Sequence, residues 1–398
     1  MNPNIQQLFE IAQKPERRII GLMSGTSMDG LDVALCKISG CGGNTKVSIE
    51  AFETCPFSEE TKDEIRKVFA LKIIDFQHLC LLNEWIGQLH GQLILDCLKK
   101  WNIAPKDIDL VASHGQTVFH APKHLHGLSQ FPNATLQIGD GDHIAVLTGI
   151  ITLSDFRQKH LAAGGEGAPL AVYGDYFIFS DATQNRIMLN MGGIANFTYL
   201  PKTLDASKVF TTDTGPGNTL IDAVARKFFG KAFDENGEIA SNGKINSRLL
   251  KSLKEDSFFE ASFPKTTGPE SFSLAYVNLA QQRSNTTNLS PEDLMATLTR
   301  FSAETIVEAL KTVCEPSETY HIYLSGGGVH NPVLTSALQE LLPNFIFGKT
   351  DDLDISGDAK EAVLFAVLAN EAVAGGGVSF GNRQGVPSVT MGKISFPS

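Results

Sequence analysis

Residues 24–30, Ser-Gly-Thr-Ser-Met-Asp-Gly, hold the densest set of chemically able groups in this chain. Ser24, Thr26 and Ser27 offer hydroxyls and Asp29 a carboxylate, while Gly25 and Gly30 let backbone N–H groups turn toward a ligand. Hydroxyls and amides donate to phosphate oxygens, and a carboxylate holds Mg2+ directly or through water. The inventory suits the phosphates of a nucleotide. It also describes a decorated β-hairpin turn, because Gly, Ser and Asp are ordinary turn residues.

Further clusters follow apolar runs: Ser-His-Gly-Gln-Thr at 113–117, Gly-Asp-Gly-Asp at 139–142, Ser-Asp-Phe-Arg at 154–157, Gly192-Gly193, Asp-Thr-Gly-Pro-Gly-Asn at 213–218 and Ser-Gly-Gly-Gly at 325–328. Taken singly, each has a structural reading. His114 can bond a neighbouring loop, Asp155 can pair with Arg157 or cap a helix, and Asp213 can cap its own turn. A Ser/His/Asp hydrolase built from Ser27, His114 and Asp155 is a competing catalytic reading. Against it, Ser27 lacks the final glycine of a G-x-S-x-G elbow. Together, polar clusters beyond strand-like runs are the layout of an α/β sheet with a ligand crevice at its strand ends.

The elements that must position these groups are legible in outline. Residues 19–55 read as strands and turns, with 19–20 feeding the first glycine turn and 31–38 leaving it. Helical spacing predicts a short N-terminal helix closed by Pro15, helices over 62–69 and 74–100, and a long helix over 358–374. Residues 187–190 and 194–200 flank Gly192-Gly193 as 19–20 and 31–38 flank the first turn, so an internal duplication is a hypothesis. A helix over 219–229 stops at Gly230, and its first N–H groups are expected to face phosphate or ribose. Asn331 reads as an N-cap with Pro332 behind it. The flexible run 164–169 marks the expected domain boundary, with Pro169 opening the next helix.

Composition bounds the partners. The 398 residues suffice for two or three domains, and 42% hydrophobic with 19% charged residues describes a globular chain. A formal net charge of −11 argues against a general nucleic-acid or anionic-membrane surface. The run 144–153 is too short to cross a bilayer, and no signal-peptide pattern opens the chain. Six scattered cysteines without a CxxC pair read as reduced, which fits the cytoplasm. Standard nucleotide loops fail. Gly348-Lys349-Thr350 has Pro343 where a Walker A loop needs glycine, and Gly139-x-Gly141 and Gly215-x-Gly217 meet Ile144 and Leu220 where a dinucleotide fingerprint needs its third glycine. Any nucleotide is therefore bound by another fold.

The eight motifs Met-Ser-Gly-Thr-Ser-Met-Asp-Gly-Leu-Asp (23–32), Ser-His-Gly-Gln-Thr (113–117), Leu-Gln-Ile-Gly-Asp (136–140), Ser-Asp-Phe-Arg (154–157), Gly-Gly-Glu-Gly-Ala-Pro (164–169), Leu-Asn-Met-Gly-Gly-Ile-Ala-Asn (189–196), Asp-Thr-Gly-Pro-Gly-Asn (213–218) and Ser-Gly-Gly-Gly-Val-His-Asn (325–331) occur in order. In these the chain resembles the anhydro-N-acetylmuramic acid kinases, over nearly its whole length after the N-terminal helix. The resemblance implies an α/β fold of actin-like ATPase type, with two ribonuclease-H-like domains and mixed sheets flanking an ATP cleft. It assigns 1–168 plus 355–398 to one domain and 169–354 to the other. It also implies a cytoplasmic enzyme of peptidoglycan recycling that uses ATP, Mg2+ and water to convert 1,6-anhydro-N-acetylmuramic acid to the 6-phosphate, and it suggests a homodimer.

By the same resemblance, Asp155 is the catalytic base. Ser24, Gly25, Thr26, Ser27, Asp29, Gly30 and Asp32 wrap the β- and γ-phosphates, and Gly192 and Gly193 approach them from the second domain. Asp213, Gly215, Gly217, Asn218, Gly326, Gly327 and Gly328 hold ribose and adenine. His114, Gln116, Gln137, Arg157 and Glu361 meet the sugar, and Asp29 and Asp213 hold Mg2+ through water. Asp155 is expected to stay ionised beside Arg157. Other readings are a kinase of this fold for a different amino sugar, and a nucleotide-responsive binding module without turnover.

Overall fold

The computed structural model describes every residue except Thr26, Ser27, Pro269, Asn382 and Gln384. The strands run in chain order as β1 (Glu16–Ser24), β2 (Gly30–Ser39), β3 (Lys46–Pro56), β4 (Leu110–Ala121), β5 (Ala134–Ile138) and β6 (Thr152–Ser154). They continue as β7 (Asn185–Met191), β8 (Ile194–Leu200), β9 (Phe210–Pro216), β10 (Tyr320–Ser325), β11 (Ile346–Lys349) and β12 (Lys393–Ser395). The chain divides into a first unit, Met1–Ser180 with Leu204–Lys208 and Asp354–Ser398, and a second, Asp181–Thr203 with Val209–Leu353. The expected break after residue 168 thus differs from the break in the structure. The helix Ala171–Phe179 packs on the helix Lys360–Ala374 and stays with the first unit.

The first unit is built on the sheet β12-β6-β4-β1-β2-β3, with β5 branching from β4. β1, β2 and β3 form an antiparallel meander, while β4 runs parallel to β1 and β6 parallel to β4. Alternation along β1 sends Ile20 and Leu22 into a core with Leu82, Ile86 and Ile94 of the helix Phe76–Lys100. The opposite face of β1 meets the helix Lys360–Ala374 so closely that a Cβ on Gly21 would lie 1.9 Å from the carbonyl oxygen of Ala362.

The second unit repeats this plan as β11-β10-β7-β8-β9: an antiparallel meander β7-β8-β9, with β10 parallel to β7 and β11 parallel to β10. Strand order and direction therefore match β6-β4-β1-β2-β3 one for one, although sequence identity between the two hairpins is slight. Ile187, Leu189 and Met191 of β7 pack with Ile306 and Leu310 of the helix Pro291–Val313. A second core joins that helix, through Leu298 and Phe301, to Leu220 and Val224 of the helix Thr219–Phe229. Among the described residues no helix is long and apolar enough to cross a membrane.

Candidate active site

In the first unit the β1–β2 hairpin pairs Met23 with Asp32, so the glycine turn projects from the end of the sheet. Ser24 and Gln116 are both fully buried. The Ser24 hydroxyl donates to Gln116 Oε1 at 2.5 Å, and Gln116 Nε2 donates to the carbonyls of Gly25 and Thr117, each at 3.1 Å. Gln116 is therefore bonded to the turn as a latch, and the Ser24 side chain braces the turn from inside. Asp29 is exposed at its tip. Asp32 accepts from Thr54 Oγ1 at 2.6 Å, and partial burial raises its pKa. Thr26 and Ser27 lie outside the described residues.

Asp155 stands just past β6 with φ 55° and ψ 38°, left-handed for a residue that has a Cβ. Such a conformation stores about 1 kcal/mol or more and persists where its surroundings enforce it. The expected partner was Arg157. Instead, Asp155 Oδ2 accepts from Lys393 Nζ at 2.7 Å. The antiparallel pairing of β12 with β6, Lys393 opposite Ser154, sets that contact. Asp155 and Lys393 share a cavity of about 460 Å3 with Gln137, Asn83, Glu84 and Asp140, under an apolar lip that includes Phe76 and Leu136. Gln137 Nε2 donates to Thr117 Oγ1 and Thr135 Oγ1 at 3.2 and 2.9 Å. Asn83 braces the floor by accepting from the Gly139 amide at 3.0 Å.

Arg157 turns away from that cavity. Its Nε donates to His114 Nε2 at 2.9 Å, and its Nη1 donates to the Gly167 carbonyl at 2.6 Å. Burial lowers the Arg157 pKa to about 10, against the favourable field of Glu361, which is exposed in the first turn of the helix Lys360–Ala374. His114 is 2% exposed and packs on Phe365 with ring centroids 4.7 Å apart. Burial, with Arg157 adding to it, lowers its pKa to about 3, so it is a neutral acceptor held under the site. Of the expected sugar contacts, the structure thus brings Gln137 into the Asp155 cavity but leaves His114, Gln116 and Arg157 out of its lining.

In the second unit, the β7–β8 turn, the start of the helix Thr219–Phe229 and the residues after β10 converge. The Gly193 carbonyl accepts from the Gly217 and Thr219 amides, and the Gly192 carbonyl accepts from the Asn218 amide. These bonds occupy amides expected to be free for phosphate. Gly217 is required by the approach, since its Cβ would fall 2.3 Å from the Gly192 oxygen. Asn218 Nδ2 donates to the Met191 carbonyl, and its side chain borders Gly327 and Gly328. Gly326 turns away from β10 with φ +82°. Asp213 accepts from the Thr267 amide at 2.8 Å, with its pKa raised by burial. Gly215 serves packing: a Cβ there would meet the Phe259 ring at 3.0 Å.

Among the described residues no three His, Cys, Asp or Glu side chains gather into a metal cage. Sequence reasoning gave no place in a site to Lys393, Asn83 or Glu84, and Asp140 stood only within the cluster 139–142 and the motif 136–140. The polar run at 139–142 was the only local signal for any of them.

The family model for "Anhydro-N-acetylmuramic acid kinase" matches residues 17–392. Among curated relatives, the anhydro-N-acetylmuramic acid kinase of Pseudoalteromonas atlantica is 55% identical over 400 residues, covering 100% of both chains. That of Pseudoalteromonas translucida is 52% identical, again over 100% of both. That of Caldanaerobacter subterraneus subsp. tengcongensis is 39% identical over 98% of this chain and 100% of its own. The chain belongs to the anhydro-N-acetylmuramic acid kinase family.

Proposed function

We propose that this chain opens the bridge of 1,6-anhydro-N-acetylmuramic acid and phosphorylates it in one coupled reaction, with Asp155 as the base. Family membership makes it an ATP-dependent sugar kinase acting on anhydro-N-acetylmuramic acid in peptidoglycan recycling. The chemistry explains why a base is needed. The internal bridge ties up O6, so water adds to C1, the C1–O6 bond breaks, and O6 takes the γ-phosphoryl group as ADP leaves. Asp155 accepts the proton of the attacking water.

The observation that carries this reading is Asp155 itself: a left-handed aspartate at a strand end, oriented by Lys393, on the wall of a polar cavity. Gln137 is placed to meet the sugar in that cavity, while Arg157 and His114 support it from behind, with Glu361 bearing on Arg157. Around the turn latched by Gln116, Gly25, Asp29, Gly30 and Asp32 are proposed phosphate contacts, with Ser24 bracing them. Gly192, Gly193, Asn218, Gly326, Gly327, Gly328 and Asp213 are the proposed nucleotide contacts of the second unit. Asp29 in the first unit and Asp213 in the second are proposed, each within its own unit, as water-mediated contacts for Mg2+, which would neutralise phosphate charge.

The repeated strand plan supports assignment of the two units to the paired ribonuclease-H-like domains of the actin-like ATPases. A cytoplasmic location belongs to the same proposal. Incubation with ATP, Mg2+ and the anhydro sugar in 18O-water is the test. Label at C1 of a 6-phosphorylated product is expected. An unlabelled 6-phosphate would mean plain phosphoryl transfer to a free hydroxyl, as in a kinase for a different sugar.

A further inference from the structure

Away from the groups assigned to sugar and nucleotide, two thiols of the first unit meet. Cys55 on β3 and Cys97 in the helix Phe76–Lys100 have sulfurs 3.5 Å apart. Cys55 is half-buried and Cys97 buried. No other pair of cysteine sulfurs lies within hydrogen-bond distance among the described residues.

The contact makes the two thiols unequal. The hydrogen bond between them pulls the Cys55 pKa down and pushes the Cys97 pKa up. Lys100, which pairs with Glu53 at 2.6 Å, also favours a Cys55 thiolate, while Glu53 and Asp96 oppose it. Either sulfur can donate in this contact, and its electrostatics favour the thiolate at Cys55 over the one at Cys97. The thiolate is the nucleophile in thiol chemistry. Burial pushes the remaining buried thiols, Cys36 and Cys314, toward the inert neutral form.

We propose that Cys55 and Cys97 form an oxidative modification site that takes hydrogen peroxide and closes to a disulfide. The Cys55 thiolate attacks one peroxide oxygen. The O–O bond breaks, hydroxide leaves and gains a proton to become water, and Cys55 becomes a sulfenic acid. The Cys97 sulfur then attacks the Cys55 sulfur. The S–S bond forms, the S–O bond breaks, and the departing hydroxide takes the Cys97 proton as a second water. Sulfur is oxidised and peroxide reduced, with two electrons accounted for. A disulfide at about 2.05 Å asks the sulfurs to close by about 1.5 Å.

The position gives the bond a consequence. β3 pairs Cys55 with Leu31 and Pro56 with Gly30, at the base of the first glycine turn. The helix that carries Cys97 also supplies Leu79, Cys80 and Asn83 to the Asp155 cavity. One covalent bond would tie the strand at the base of the turn to the helix that lines the cavity. The proposal does not depend on the activity of the chain.

The test treats the full reduced chain with a few equivalents of hydrogen peroxide, alkylates the remaining thiols with iodoacetamide, and maps the digest by mass spectrometry. The expected result is a peptide linked through Cys55 and Cys97, lighter by two hydrogens, with alkylation of both falling at least about tenfold. In Cys97→Ser, the sulfenic acid at Cys55 is expected to persist and be trapped by dimedone. Full alkylation of Cys55 and Cys97 under conditions that oxidise exposed Cys80 would overturn the proposal, as would a Cys55 disulfide to any other partner.

Discussion

Replacing Gln116 with leucine removes the latch on the first glycine turn, and its cost can be worked from the bonds. Gln116 takes part in three: one from Ser24 Oγ and two to the carbonyls of Gly25 and Thr117. Two of the partners are not stranded by the change. The Ser24 hydroxyl retains the Gly30 carbonyl at 3.2 Å, and the Gly25 carbonyl retains the Met28 amide at 3.4 Å. The loss is therefore close to three ordinary buried hydrogen bonds, about 3 kcal/mol. Extra apolar burial by leucine offsets about 1 kcal/mol of it. A net loosening of about 2 kcal/mol corresponds to a rise in the KM for ATP of at most about 30-fold, and a rise of roughly 5- to 30-fold is expected. The KM for the sugar should stay within about twofold. Steady-state kinetics with each substrate varied, together with urea unfolding, measures both effects. Gln116→Glu sharpens the test. It keeps an acceptor for Ser24 but turns a carboxylate oxygen toward two carbonyls, so its defect should ease in acid as the carboxyl gains a donatable proton. A normal KM for ATP and normal stability in Gln116→Leu would refute the latch. Lost stability with a normal KM would refute phosphate binding by the turn.

Two further outcomes follow from the ion pair and from the buried histidines. Lys393 and Asp155 side chains are 63% and 35% exposed, so Lys393→Met should change stability by less than about 1 kcal/mol. It should lower kcat by roughly 3- to 10-fold as Asp155 loses its orienting donor, with Lys393→Arg retaining most of the rate. An unchanged kcat would remove Lys393 from the account. Burial lowers the imidazoles of His90, His114 and His160 to about 4, 3 and 4, so the unfolded chain binds more protons than the folded one below the ordinary histidine pKa. Stability is therefore fully present above about pH 6.5 and is lost as pH falls through the folded values, by up to about 4 kcal/mol per pH unit for the three together. Neither ring nitrogen of His90 has a partner among the described residues, so His90→Leu should flatten that acid slope by about a third without loss at pH 7.5. Denaturant unfolding at pH 7.5 and 5.5 measures the slope, and an unchanged slope contradicts the assignment.

The parts of this fold that were legible in the sequence are those with strong local signals. The first hairpin, the helix Thr219–Phe229 with Gly230 in the left-handed conformation at its end, and the Asn331 cap, whose side chain accepts from the Val333 and Leu334 amides, carry their own punctuation. The strand order of the first hairpin's sheet recurs in the second unit, although sequence identity between the two hairpins is slight. The helix Pro291–Val313 was not anticipated, because it is buried along most of its length and mixes Thr and Ser into its core faces. The partner of Asp155 was out of reach for a different reason. Arg157 is two residues away, whereas Lys393 is brought in by a three-residue strand whose pairing no local pattern announces. The site residues that went inward share one physical cause. Ser24 and Gln116 bond one another and His114 Nε2 accepts from Arg157, and burial cannot be read from residue type.

Asp155→Asn tests the central claim most directly. Asparagine preserves the size and the left-handed conformation that aspartate tolerates here, but it cannot accept the proton of the attacking water. Binding of ATP, followed by calorimetry, should be retained within about threefold, while turnover of anhydro-N-acetylmuramic acid should fall at least about 10³-fold. Turnover within about tenfold of the unaltered chain would contradict the assignment of Asp155 as the base.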